Sequence, residues 1–190
     1  MFINFVALML INMVAGLGVL AHFVYFGLDA EDRRRWVPAF AMVGLVALLT
    51  GLRMVWTWPL PGAHNAAFGE PYVLFGAAFL GAALAMWFDW DLLPVALYAS
   101  VSGLVGVLVG VRILQLGMTR EPLASMLGFV LTGLAGLCAT PAYLWRRHRI
   151  IRILGALAVL GAAAVWAITG YGSVWSHIEG FANWVPATMR

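Results

Sequence analysis

Four residues are best placed to do chemistry, Arg53, Arg112, Glu70 and Glu121, because each sets an ionisable group in or beside a long apolar run. Counting back from Trp58 and Thr119, where the two runs end, puts the guanidinium groups about 7 to 10 Å inside at 1.5 Å per residue. An Arg in hydrocarbon costs about 2.5 to 3.5 kcal/mol at mid-membrane, less near the interface, and needs a carboxylate, a carbonyl or water. Glu70 and Glu121 are the expected partners. Two such pairs facing one another would make a ligand or ion pathway, and two Arg favour an anionic small solute. The plainer alternative is that Glu70-Pro71 and Glu121-Pro122 cap helix starts, while each Arg reaches outward to the headgroups.

His22 falls inside the first apolar run, either as a further member of that pathway or as a neutral imidazole hydrogen-bonded to a neighbour. His64 and His177 are expected on one side of the molecule. With Glu179 they are the candidates for a metal site at that surface. His148, within Arg146-Arg147-His148-Arg149, belongs to a basic loop that meets anionic lipid. A bis-histidine haem would need two His on spans at matched depth, and one is present, so such a haem is disfavoured, and the residues name no other cofactor. Asp29, Glu31, Asp32, Asp89 and Asp91 read as solvated turn residues. All 11 basic residues are Arg, which excludes lysine Schiff-base and P-loop chemistry. The single Cys138 forms neither an internal disulfide nor a cysteine metal site. The chain has no zincin, nucleophile-elbow, Walker or dinucleotide motif, which argues against a hydrolase, an ATPase or a dehydrogenase.

The elements that must hold these residues follow from composition. Of 190 residues 64% are hydrophobic and 10% charged, against roughly 25% charged in soluble domains, so the expected solvent is lipid. Six stretches reach the roughly 20 apolar residues that a span needs: 2 to 28, 37 to 58, 71 to 88, 92 to 117, 122 to 145 and 153 to 175. They predict one all-helical domain over 1–190, a polytopic membrane protein of six transmembrane helices. Pro141 is the clearest helix breaker within a span. Short loops carry Arg33 to Arg35 and Arg146, Arg147, Arg149 and Arg152 on one side, against Arg120 and Arg190 opposite. The positive-inside rule then puts both termini outside a cell inner (plasma) membrane. Set beside apolar runs, these Arg are topology signals, so nucleic acid is discounted. No basic residue precedes the first run, so that run is expected to remain as a helix rather than be cleaved. Trp36, Trp56, Trp58, Trp87, Trp90, Trp145, Trp175 and Trp184 are expected at the interfaces.

Gly44 to Arg53 recurs 59 positions later as Gly103 to Arg112, with six of ten residues identical. Each copy is followed by a Glu-Pro, which predicts a parallel internal repeat of helical hairpins, helices 2-3 and 4-5, rather than an inverted one. A worn third start is expected at Gly161 and Val165-Trp166. Gly44 and Gly51, like Gly103, Gly106 and Gly110, fall on one helix face, where small residues permit close packing.

At Thr57-Trp58-Pro59-Leu60-Pro61-Gly62, Asn65 and Ala67-Phe68-Gly69-Glu70-Pro71, the chain resembles the prokaryotic membrane proteins of domain-of-unknown-function family 981. Gly110-Val111-Arg112, Arg120-Glu121-Pro122 and Trp166-Ala167-Ile168-Thr169-Gly170 resemble it too. The resemblance implies a multi-span helical membrane protein and carries no activity onto particular residues. The residues themselves point first to a small channel or transporter with an outer Arg/Glu cluster. The alternative is a membrane subunit of a respiratory or redox complex, with a quinone beside Trp56, Trp58 and Tyr72. Expected partners are the lipid bilayer, an anionic small solute or quinone, and either further copies of the chain or a larger membrane complex.

Overall fold

The computed structural model describes residues 5–185. Arg190, the first residues of the first expected span and the two chain ends lie outside them. Among the described residues the protein is all helical: α1 (Phe5–Phe26), a 3-10 turn (Arg34–Trp36), α2 (Val37–Thr57), α3 (His64–Trp87), α4 (Leu93–Leu116), α5 (Pro122–Leu137), α6 (Ala139–Leu144) and α7 (Arg149–Gly180). Helices α1, α2, α3, α4 and α7 are long and apolar enough to cross a membrane, and α5 is a shorter apolar helix. The predicted fifth stretch, 122 to 145, is therefore two helices. Pro141 has no N–H to give the Leu137 carbonyl; instead the Ser100 hydroxyl of α4 donates to that carbonyl at 3.2 Å and accepts the Thr140 N–H at 3.3 Å. A neighbouring helix thus satisfies backbone groups that the break exposes.

Helix α3 starts seven residues before the predicted 71, and Pro71 lies inside it. The turn ahead of it explains why. Trp58 ends α2 in the left-handed conformation with φ 45°, and Gly62 follows at φ 56°. The fully buried Asn65 accepts the Leu60 N–H at 2.9 Å and donates back to the Leu60 carbonyl. The Trp-Pro-Leu-Pro-Gly to Asn segment is thereby a clasp that turns the chain into α3.

Helices α2 and α3 pack closely, as do α4 and α5, and α1 lies along α7. Glycines set the first two contacts. A Cβ built on Gly76 would fall 2.7 Å from Leu48 N and 3.0 Å from Gly44 O, and one on Gly133 would fall 2.7 Å from Val107 N and 2.6 Å from Gly103 O. Helix α7 closes on α1 differently, through Gly170 against Leu10; Gly161, expected to begin a third copy, meets nothing within 4 Å. Light contacts of α1 with α2, α3 with α4 and α5 with α7 join the three pairs into a ring.

The ring's outer surface is apolar, with Leu49, Val101, Leu108 and Ile168 among its exposed side chains. Exposed Trp56, Trp58, Trp87, Trp90, Trp145, Trp175 and Trp184 stand at helix ends. Trp36 differs from expectation: it is 4% exposed, packs edge-on against Phe23 and donates its indole N–H to His22 Nδ1 at 3.0 Å.

Candidate binding chamber

Inside the ring lies a cavity of about 360 Å³ to which all seven α-helices contribute. Leu17, Phe75, Phe79, Ala99, Ala135 and Val159 exemplify its wall, which is almost wholly apolar. Its polar groups are engaged: Thr132 accepts the Trp166 indole N–H at 2.8 Å, and Ser102 donates to the Tyr98 carbonyl at 2.8 Å. The wall therefore presents few open hydrogen-bonding groups to an occupant, and displacing water from it favours an apolar one. The chamber reaches Leu28, Leu92, Ala142 and Tyr143, beside the loops that carry the Arg runs. Phe129 and Trp166 meet edge-on with ring centroids 5.2 Å apart, in the core cluster that also contains Tyr72.

Next to that cluster is a polar knot the sequence reading missed. Asn12 Nδ2 donates to Tyr72 Oη at 2.8 Å and to the Val43 carbonyl at 3.1 Å, and Tyr72 Oη donates to the Met9 carbonyl at 2.9 Å. It ties α1 to α2 and α3. A lone Asn in a 22-residue apolar helix was the available signal, since a polar side chain there needs a partner.

None of the predicted site residues lines the chamber. Arg53 and Arg112 are exposed near the ends of α2 and α4, and Arg112 Nη1 donates to Gln115 Oε1 at 2.9 Å. Glu70 is exposed within α3, and Glu121 is the exposed residue before α5, with no side-chain cap bond. Because Gly76 and Gly133 pair in the same way, the counterpart of Glu121 in the first hairpin is His64, the first residue of α3, rather than Glu70. The expected matching of the two Glu-Pro steps fails on this register. Among the described residues the one ion pair is elsewhere, Arg152 Nη1 to Asp29 Oδ2 at 3.2 Å.

His22 is exposed on α1 and holds the Trp36 bond. His64 spans two loops, its Nδ1 2.8 Å from the Pro61 carbonyl and its Nε2 2.7 Å from the Met118 carbonyl. His177 packs against Phe181 with ring centroids 5.6 Å apart. No group of three His, Cys, Asp or Glu among the described residues could hold a metal ion.

Long apolar helices ringed around an apolar chamber, with Trp at their ends, suggest a membrane protein. The chain belongs to the family described as "Protein of unknown function (DUF981)", whose model matches residues 1–180. No curated protein and no solved structure matches it.

Proposed function

We propose that the protein is a multi-pass inner-membrane protein that takes up a chain-like apolar molecule, an acyl or prenyl tail, into the chamber, as a small transporter or carrier of amphipathic molecules. The observation that carries this reading is the chamber itself, whose volume of about 360 Å³ falls within the roughly 300 to 1,000 Å³ of small-molecule sites. A conduit for ions would need polar groups along its wall, and here the wall is hydrocarbon. In this reading α5 and α6 together supply the sixth crossing, and the Arg-rich loops face the cytoplasm with both termini outside. The matched contacts of Gly76 and Gly133 support a parallel repeat of α2–α3 and α4–α5, with α7 and α1 as a worn third pair. Arg53, Arg112, Glu70 and Glu121 then serve the opposite rim, meeting headgroups or an anionic solute.

The aromatic side chains Phe23, Phe40, Phe79 and Trp166 around the same chamber also suit a prenyl-quinone tail, which is the redox-subunit alternative. One experiment separates the readings: mass spectrometry of molecules retained by the purified chain, for the wild type and for Ala99→Phe/Ala158→Phe, which fills the chamber from two helices. Retention of an acyl or prenyl amphiphile that is lost in the filled variant is the expected result. A quinone, or stable copurifying subunits, would move the protein to the redox class. Retention that is indifferent to filling would remove the chamber reading.

A further inference from the structure

We propose that the Arg-rich mouth of the chamber is a headgroup site for an anionic phospholipid, built by Arg152 and Arg146. The inference rests on the chamber reading and adds the chemistry of the ligand's polar end.

Arg152 lies one helical turn before Gly155, and Asp29 directly follows Leu28; Gly155 and Leu28 both line the chamber. The Arg152–Asp29 bridge therefore sits at its edge. Asp29 takes only Nη1 of the guanidinium, at 3.2 Å, and the Nε–H is buried with no hydrogen-bond partner among the described residues. A buried cationic donor without an acceptor is destabilising, and a ligand that opens this edge satisfies it, since Nε and Nη2 together form the fork that takes a phosphate through two parallel bonds. Arg146, in the short link between α6 and α7, lies 4.2 Å over the ring of Tyr143 and donates Nη1 to the Tyr143 carbonyl at 2.9 Å. Tyr143 is itself a buried chamber wall residue.

Access comes from the broken helix. Helix α6 touches α7 only lightly, and both contribute to the chamber wall, α6 through Ala142 and Tyr143 and α7 through Gly155 and Ala158. Their chamber edges carry the two Arg. Charge complementarity selects the occupant: in the loops and the first turn of α7 at this end seven Arg stand against five carboxylates, and cations at the lip of a hydrocarbon chamber match a phosphate with an acyl chain attached. Phosphate and chain are then bound together, the phosphate between the two Arg and one chain running inward past Ala142 and Gly155.

The test offers the purified full-length chain equal amounts of phosphatidylglycerol and phosphatidylcholine in mixed vesicles, then measures the lipid retained after extraction by native mass spectrometry. The wild type is expected to prefer phosphatidylglycerol at least fivefold. Arg146→Gln/Arg152→Gln should bring the preference close to one. Arg147→Gln/Arg149→Gln removes the same charge from exposed positions and should leave it intact; an equal fall there would mean a diffuse basic surface and overturn the site. Arg146→Lys/Arg152→Lys keeps the charge without the fork, so an intermediate preference is expected, and this pair carries the test if the Gln pair does not fold. Inorganic phosphate at millimolar concentration should not displace the lipid; displacement would assign the two Arg to a free anion. Ala99→Phe/Ala158→Phe should lower retention of both lipids alike. Retention unchanged in that variant overturns the chamber reading and this inference together. Chamber-dependent retention that is indifferent to Arg146 and Arg152 overturns the headgroup site alone.

Discussion

Asn12, Tyr72 and Asp91 show what single side chains contribute. The Asn12–Tyr72–Met9 bonds cross between helices where lipid, in the proposed membrane, offers no substitute, and such bonds are worth on average about 0.6 and up to about 1.7 kcal/mol. Tyr72→Phe is expected to lower unfolding free energy by that order, measured by denaturation in mixed micelles. Asn12→Leu should cost more, because the buried Tyr72 hydroxyl and the Val43 carbonyl both lose a donor. Asp91 lies outside the helices; its Oδ1 accepts the Leu93 N–H at 2.6 Å at the start of α4. That bond, with the Tyr143 side chain and the charges of Arg146 and Arg33, holds its carboxyl below the usual carboxylate range. A depressed folded-state value means the stabilisation is present above the unfolded value and is lost as pH falls through the folded one. The thermal midpoint of Asp91→Ala should therefore lie below wild type at pH 7 and converge with it below about pH 3.9. Residue type was legible here, whereas role was not. Arg53 and Arg112 announced themselves by charge, but whether a guanidinium faces a cavity or a rim depends on helix rotation, which their spacing leaves undetermined. Trp36 reads like the other interfacial Trp and is buried because the 3-10 turn folds it under α1.

Helix pairing is where spacing was most informative. Gly44, Gly51, Gly103, Gly106 and Gly110 were expected to pack closely, and α2 and α4 use them so, because a Cβ would meet partner backbone first at Gly44, Gly103 and Gly106 and a Val side chain first at Gly51 and Gly110. Gly133→Ala is expected to be strongly destabilising, since its Cβ would meet the Val107 N and the Gly103 O of a rigid neighbouring helix. Gly161→Ala, with nothing within 4 Å, should instead gain roughly 0.5 to 1 kcal/mol from helix propensity. The same thermal-shift series checks both, and equal effects at the two positions would sink the packing argument. Helix ends were less legible. Pro71 looks like a start, since Pro favours the first turn, yet the Asn65 clasp begins α3 earlier and leaves Pro71 inside the helix and on the chamber wall. Pro141 was visible as a breaker, but Ser100, which accommodates the break, is distant in sequence and carried no local signal.

At the scale of the whole molecule, five of the six apolar runs read from the sequence are single long helices, and the run at 122 to 145 is the two shorter helices α5 and α6. The chamber was not readable, since its wall is ordinary Leu, Ala and Phe drawn from all seven α-helices, with no periodicity of its own. The ring leaves orientation as the property that most constrains function, because it decides which leaflet supplies the chamber's occupant. The two ends of the bundle differ in charge: one carries Arg33 to Arg35 and the Arg146 to Arg152 run, the other Arg120 in its α4–α5 loop. The bias predicts that the first end faces the cytoplasm. In a Cys138→Ala background, Arg147→Cys should resist a membrane-impermeant maleimide in intact cells and react after lysis. Ala63→Cys, exposed in the α2–α3 turn, should react in both. The reverse pattern would place the chamber's Arg-lined mouth in the outer leaflet, and the amphiphile would then have to enter from the external side.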